Sequence, residues 1–164
     1  MSLIAAIKAL AHYLRYVSGK RIRGSTVLSV NDANRVLAAA QQSAAEISVA
    51  ANIAVLDEAG WLKAFVRMDG ALLGSIDIAL GKARSSVLFG GASSEDLYEY
   101  CKPGGTSFGL ENTNGGLVVF AGGRALRDAS GNVVGSVGVS GGAVSQDAAI
   151  AAAGAAALDR SPAA

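Results

Sequence analysis

Val133–Asp147, VVGSVGVSGGAVSQD, is the stretch on which the reading of this chain turns. Val134, Val137 and Val139 interleave with Gly135, Ser136 and Gly138, which puts β-branched and very small residues into one strand. Glycine weakens a strand interior, so its presence marks a place where another backbone or a ligand comes close. Ser140-Gly141-Gly142 ends the strand, and Ser145-Gln146-Asp147 supplies capping chemistry for the Ala-rich run that follows. A helix start presents unpaired N–H groups and a positive dipole end, which suits an anionic group. Two readings stand side by side: a binding turn at Ser140, Gly141 and Gly142, or a tight strand-to-helix turn that holds nothing.

Working outward, Asp128-Ala129-Ser130-Gly131 joins Arg124–Arg127 to Val133–Val139. The same device, Asp57-Glu58-Ala59-Gly60, joins Asn52–Leu56 to Trp61–Val66. Asp at the first position and Gly at the fourth favour a type I turn with a left-handed exit, so both pairs read as hairpins. Helices are expected from a Ser29 cap to near Ser48, over Ser75–Leu88, over Ser94–Cys101 and over Asp147–Leu158. Lys102 to Gly116 is a long Gly-, Ser-, Thr- and Asn-rich loop, and Gly116–Phe120 reads as a central strand. The order predicts an α+β domain over 27–158, with helices packed on a five-stranded antiparallel sheet and a tail at 159–164.

Composition narrows the function. The chain has 164 residues, enough for one domain with a sizeable core. It is 51% hydrophobic and 16% charged, mostly through Ala, Val, Leu and Ile, which points to a homo-oligomer that buries apolar surface between subunits. A net charge of +1 and few aromatic residues give no basis for nucleic-acid binding. Cys101 stands alone, so no intrachain disulfide forms and a reducing, cytoplasmic setting is expected. One His and one Cys exclude a structural zinc site, and no charge-free apolar run is long enough for a membrane span. Residues 1–26 form a separate unit: Leu3, Ile4, Ile7, Leu10, Leu14 and Val17 fall at helical spacing opposite Lys8, His12 and Arg15, followed by a Gly/basic/Ser linker. An amphipathic basic helix of this kind suits docking on a neighbouring subunit first, a targeting or packaging tag second, with a membrane-surface helix as the third reading.

Asn52–Asp69 (NIAVLDEAGWLKAFVRMD), Gly70-Ala71, the run SIDIALGKARSS and the VVGSVGVSGGAVSQD block together resemble the GlcG/HbpS-like family. This is the heme-degrading or heme-binding domain family, which includes the C-terminal domain of PduO-type corrinoid adenosyltransferases. The resemblance covers roughly Leu28 to Leu158 and implies a profilin-like domain that assembles into oligomers, with heme as a cofactor of some members. Heme-binding relatives use a pocket ligand such as a His on the first domain helix. Here Asn31–Ile47 contains no His, and His12 lies outside the matched region. Tyr98, Tyr100 and Cys101 are the remaining ligand types, and Tyr98 is taken as the cofactor-binding candidate.

The residues with chemistry follow from their surroundings. Arg67 and Asp69 project from a strand end; Arg67 can hold a carboxylate with two hydrogen bonds, and Asp69 can orient it or accept a proton. The plainer reading is an Arg67–Asp69 ion pair that fixes the loop. Lys82 sits among apolar residues, where desolvation would lower its pKa and suit proton transfer; a solvated ammonium over a buried stem is the alternative. Asp147 reads as first-turn helix chemistry. No His accompanies Ser85, Ser86 or Ser140, which excludes a Ser-His-Asp hydrolase within the domain. The expectation is an oligomeric binder of a small anionic or planar ligand, heme included. One alternative is a cofactor-independent isomerase, tautomerase or lyase on a small carboxylate, with Arg67, Asp69 and Lys82 as its catalytic set. The other is an assembly or cargo module directed by the N-terminal helix. Ser140 to Gly142 belong to a site only if Arg67 faces the same pocket.

Overall fold

Each hairpin is closed by the Asp that opens its turn. Asp57 Oδ1 accepts from the Ala59 and Trp61 amides, and Gly60 takes φ +81°. Asp128 Oδ1 accepts from the Ser130 and Asn132 amides, and Gly131 takes φ +83°. These turns set two pairs of strands: β1 (Asn52–Asp57) with β2 (Leu62–Arg67), and β3 (Gly123–Arg127) with β4 (Val133–Ser140). β1 also pairs antiparallel with β4, which gives the sheet order β2-β1-β4-β3. The computed structural model describes residues 27–159; the helix expected at 2–17 and the tail beyond 159 lie outside the described residues.

The helices are α1 (Val30–Glu46), α2 (Ser75–Leu88), the short α3 (Tyr98–Cys101) and α4 (Val144–Asp159). α1 starts as its sequence dictates, with Ser29 Oγ accepting from the Asp32 amide at 3.0 Å. A 3₁₀ turn at Ser94–Leu97 leads into α3 and carries a capping box of Ser93 and Asp96. α4 begins three residues before the expected Asp147. Gln146 Oε1 accepts from the Ala143 amide and Asp147 Oδ1 from the Gly142 amide, so both side chains reach back across the first turn.

The two faces of the sheet differ. Ile53 and Val55 of β1 and Val137 and Val139 of β4 pack with Val36 and Ala40 of α1 and Ile150 of α4 into the apolar core. Each fully buried Val or Ile among them contributes about 1.5–3 kcal/mol. The other face carries Asn52, Ser136, Gly138 and Ser140, and α2 lies on it. There is room because Gly138 and Gly123 lack side chains: a Cβ on Gly138 would strike the Ala79 carbonyl oxygen, and one on Gly123 the Lys82 carbonyl oxygen. Within the opening stretch Gly138 therefore admits a helix of the same chain, while Gly135 and Gly141 admit the backbone at Leu56 and Ala50.

That close packing rotates α2 from its expected face. Lys82, Ser85 and Ser86 are buried with Ala79, Ala83 and Val87, while Ile76 and Leu80 are only half-buried. The five-strand expectation also needs correction: the described residues form four strands, and Gly116–Phe120 is not one of them. This segment lies across α2 instead of beside a strand. Ser85 Oγ accepts from the Val118 amide, Ser94 Oγ donates to the Phe120 carbonyl, and Val118 fills the space over Gly81. Side-chain hydroxyls satisfy its backbone where a ladder was expected.

Candidate binding groove

A half-open groove of ≈ 500 Å³ runs between the β1–β2 turn and α2. Leu56 of β1 lines it together with Trp61 and Leu62 at the start of β2, and Gly115 and Gly116 line it as well. α2 contributes Asp77, Leu80, Gly81, Arg84 and Leu88, residues at i, i+3, i+4, i+7 and i+11 and so one continuous stripe. Trp61, Leu62 and Leu88 are exposed by 74%, 55% and 43%, a cluster of large apolar surface beside a cavity. Asp77 and Arg84 are both exposed, so the apolar walls carry one acidic and one basic side chain at the helix edge. Among the described residues no ion pair or hydrogen bond engages the Arg84 guanidinium.

Lys82 and Asp147 meet elsewhere. Lys82 Nζ donates to Asp147 Oδ2 at 2.7 Å and to the Val139 carbonyl at 2.9 Å, and it sits 4.7 Å from the centroid of the Phe120 ring. The lysine is fully buried. Burial lowers its pKa below the ordinary lysine value, and the Asp147 carboxylate partly offsets that fall. Asp147 Oδ1 takes the Gly142 amide at 2.9 Å, so the carboxylate ties α2, the turn after β4 and the start of α4 together. Gly122 makes the space, since a Cβ there would lie 2.8 Å from Lys82 Nζ.

The remaining candidates fall in two places. Arg67 ends β2 and Ser140 ends β4; both stand opposite Asn52 of β1, so all three share the α2 face of the sheet. Asp69 lies in the exposed turn beyond β2, and no ion pair links it to Arg67 among the described residues. Gly141 is pressed against the Ala50 backbone, and Gly142 directs its amide to Asp147. Tyr98 opens α3, is 50% exposed and does not line the groove. The structure thus joins Lys82 with Gly142 through Asp147, and sets Arg67 and Ser140 on either side of Asn52 in strand register. Sequence reasoning did not single out Asn52 or the groove residues. The available signal was Trp61, the only tryptophan, placed beside a turn.

Comparison with known proteins adds to this geometry. The family model described as haem degrading protein HbpS-like matches residues 28–156. The chain belongs to the HbpS-like family. Within 70% of its length it is 36% identical to an uncharacterized 15.0 kDa protein of the dhaT–dhaS intergenic region of Citrobacter freundii, of which the match covers 80%. It is 37% identical over 122 residues to the corrinoid adenosyltransferase PduO of Salmonella typhimurium, and spans 35% of that longer protein. Among solved structures it resembles PduOC in a heme complex, with a TM-score of 0.76 and 34% identity over 82% of this chain and 96% of that one. These likenesses place this HbpS-like chain in an established α+β fold.

Proposed function

We propose that this HbpS-like domain binds a planar tetrapyrrole of the heme class in the groove between the β1–β2 turn and α2. The groove itself carries the reading. Its ≈ 500 Å³ lies within the span of about 300–1,000 Å³ usual for small-molecule sites. Leu56, Leu80 and Leu88 offer apolar surface to a macrocycle, Trp61 a ring to stack on, and Arg84 a partner for a propionate. The heme complex of PduOC and the family's description support the ligand class.

The lining fits the macrocycle and its carboxylates, but not the iron. None of the lining residues is a His, Cys, Met or Tyr, the usual axial ligands. The domain therefore holds the ring by its edges and faces, and no iron chemistry is assigned to it. Iron-free protoporphyrin IX should then bind about as tightly as hemin. Absorbance titration of both tests this: Arg84→Gln should weaken each by about tenfold, the loss of one charge-assisted hydrogen bond. Tight hemin binding with no measurable porphyrin binding would assign the site to an iron ligand outside the groove.

An acid–base enzyme using Arg67, Asp69 and Lys82 has less support. Lys82 Nζ is enclosed and already bonded to Asp147 and Val139, and it does not share the strand-end cluster around Arg67.

A further inference from the structure

The spacing of β4 against α2 extrapolates to the position of Ser140 along that helix. Ser136 Oγ donates to the Ala83 carbonyl, and Gly138 abuts the Ala79 carbonyl. Two strand residues advance about 6.6 Å and four helix residues about 6 Å, so the next step along both brings Ser140 level with Ser75. Ser140 and Ser75 are 5% and 8% exposed. Their hydroxyls form no hydrogen bond among the described residues. α2 begins after Gly74, which has no side chain to cap the helix; the Ser75 and Ile76 amides donate to the Leu72 and Leu73 carbonyls, so Asp77 carries the first amide of the helix with no acceptor among the described residues.

Asn52, between Ser140 and Arg67 on the neighbouring strand, supplies an independent observation. It is fully buried, and its Nδ2 donates to the carbonyl of Leu72 in the turn that leads into α2. Its Oδ1 has no partner among the described residues. Reversing the amide gives no relief, because it would set two carbonyl oxygens face to face. A buried acceptor left unpaired costs about 1–3 kcal/mol, so this oxygen calls for a donor. One strand further out, Arg67 is exposed, and no acidic side chain among the described residues pairs with it.

We propose that Arg67, Asn52, Ser140, Ser75 and the N-terminus of α2 form a second binding site, for a small carboxylate that carries a hydroxyl or ammonium donor beside it. Arg67 and the Asp77 amide, the first that the preceding turn leaves open, take the carboxylate. Asn52 Oδ1 accepts from the neighbouring donor, and the two serine hydroxyls complete the shell. The site meets the groove only at Asp77 in the first turn of α2, uses none of its other lining residues, and stands whether or not a tetrapyrrole binds there.

Backbone amide NMR titrations of the whole chain with lactate, alanine and propionate test it, since the three differ only in the group beside the carboxylate. Lactate or alanine should give saturable shifts at Ser75–Ile78, about tenfold tighter than propionate, the value of one hydrogen bond to a buried acceptor. Arg67→Gln, a change at an exposed position, should abolish saturation, and Arg84→Gln should leave it intact. Propionate binding as well as both others would overturn the role of Asn52. Absence of saturable shifts with lactate and alanine, or binding that survives Arg67→Gln, would overturn the site.

Discussion

Lys82 and Asp147 stand 65 residues apart and make one buried ion pair that joins α2 to the start of α4. Removing one partner leaves a charge without water or counter-charge, whereas removing both leaves only a shape to refill. Urea unfolding should therefore show Lys82→Met and Asp147→Asn each losing about 3–5 kcal/mol, with Lys82→Met/Asp147→Leu recovering most of it. The pH dependence follows from the lowered Lys82 pKa. Between that value and the ordinary lysine value of 10.5, the unfolded chain binds more protons than the folded one, so stability from this group rises with pH. It is complete above 10.5 and lost as pH falls through the folded value; subtracting the Lys82→Met profile isolates it. Cys101 offers a second check. Burial, and then the nearby Glu111 carboxylate, push its thiol pKa up, and its Sγ–H donates to the Leu97 carbonyl. A thiol reagent such as DTNB should modify it slowly in the native protein and at once in denaturant. Asp147 is legible in the sequence as a first-turn residue, but its tie to Lys82 is not, because nothing local encodes a contact across that separation.

At the scale of elements, the hairpins are the most legible part. Asp57 and Asp128 each satisfy the amides of their own turn up to four residues on, so a short local window holds the whole interaction. Gly116–Phe120 shows the opposite case. Its apolar run suits a strand, yet the hydroxyls of Ser85 and Ser94, distant in sequence, hold it across α2. The buried face of α2 was also hidden from periodicity, because it rests on glycine backbone and buries Lys82, Ser85 and Ser86. Gly138 carries this packing. Gly138→Val should destabilise by about 1–3 kcal/mol or more, since the new side chain meets the backbone of α2 at Ala79 and Ala83. A denaturation midpoint unchanged from wild type would contradict the close approach.

For the whole molecule, the sheet separates two kinds of surface: an apolar face sealed by α1 and α4, and a small, polar face under α2. The class of fold was readable from the order of elements; the groove was not, because it arises where Leu56 and Trp61 meet a stripe of α2. Leu72 and Leu73, exposed by 67% and 68%, add to the apolar surface around β2, the edge strand. We propose that this edge serves subunit association, and light scattering should find a species larger than the 16.4 kDa monomer that Leu72→Ser/Leu73→Ser reduces. The groove remains the central claim, and Trp61 reports on it directly as the only tryptophan in the chain. Its fluorescence, followed while protoporphyrin IX is titrated in, should be quenched in a saturable way, and Arg84→Gln should shift the midpoint by about tenfold. Unquenched Trp61 emission at porphyrin concentrations that saturate the protein by absorbance would contradict binding in the groove.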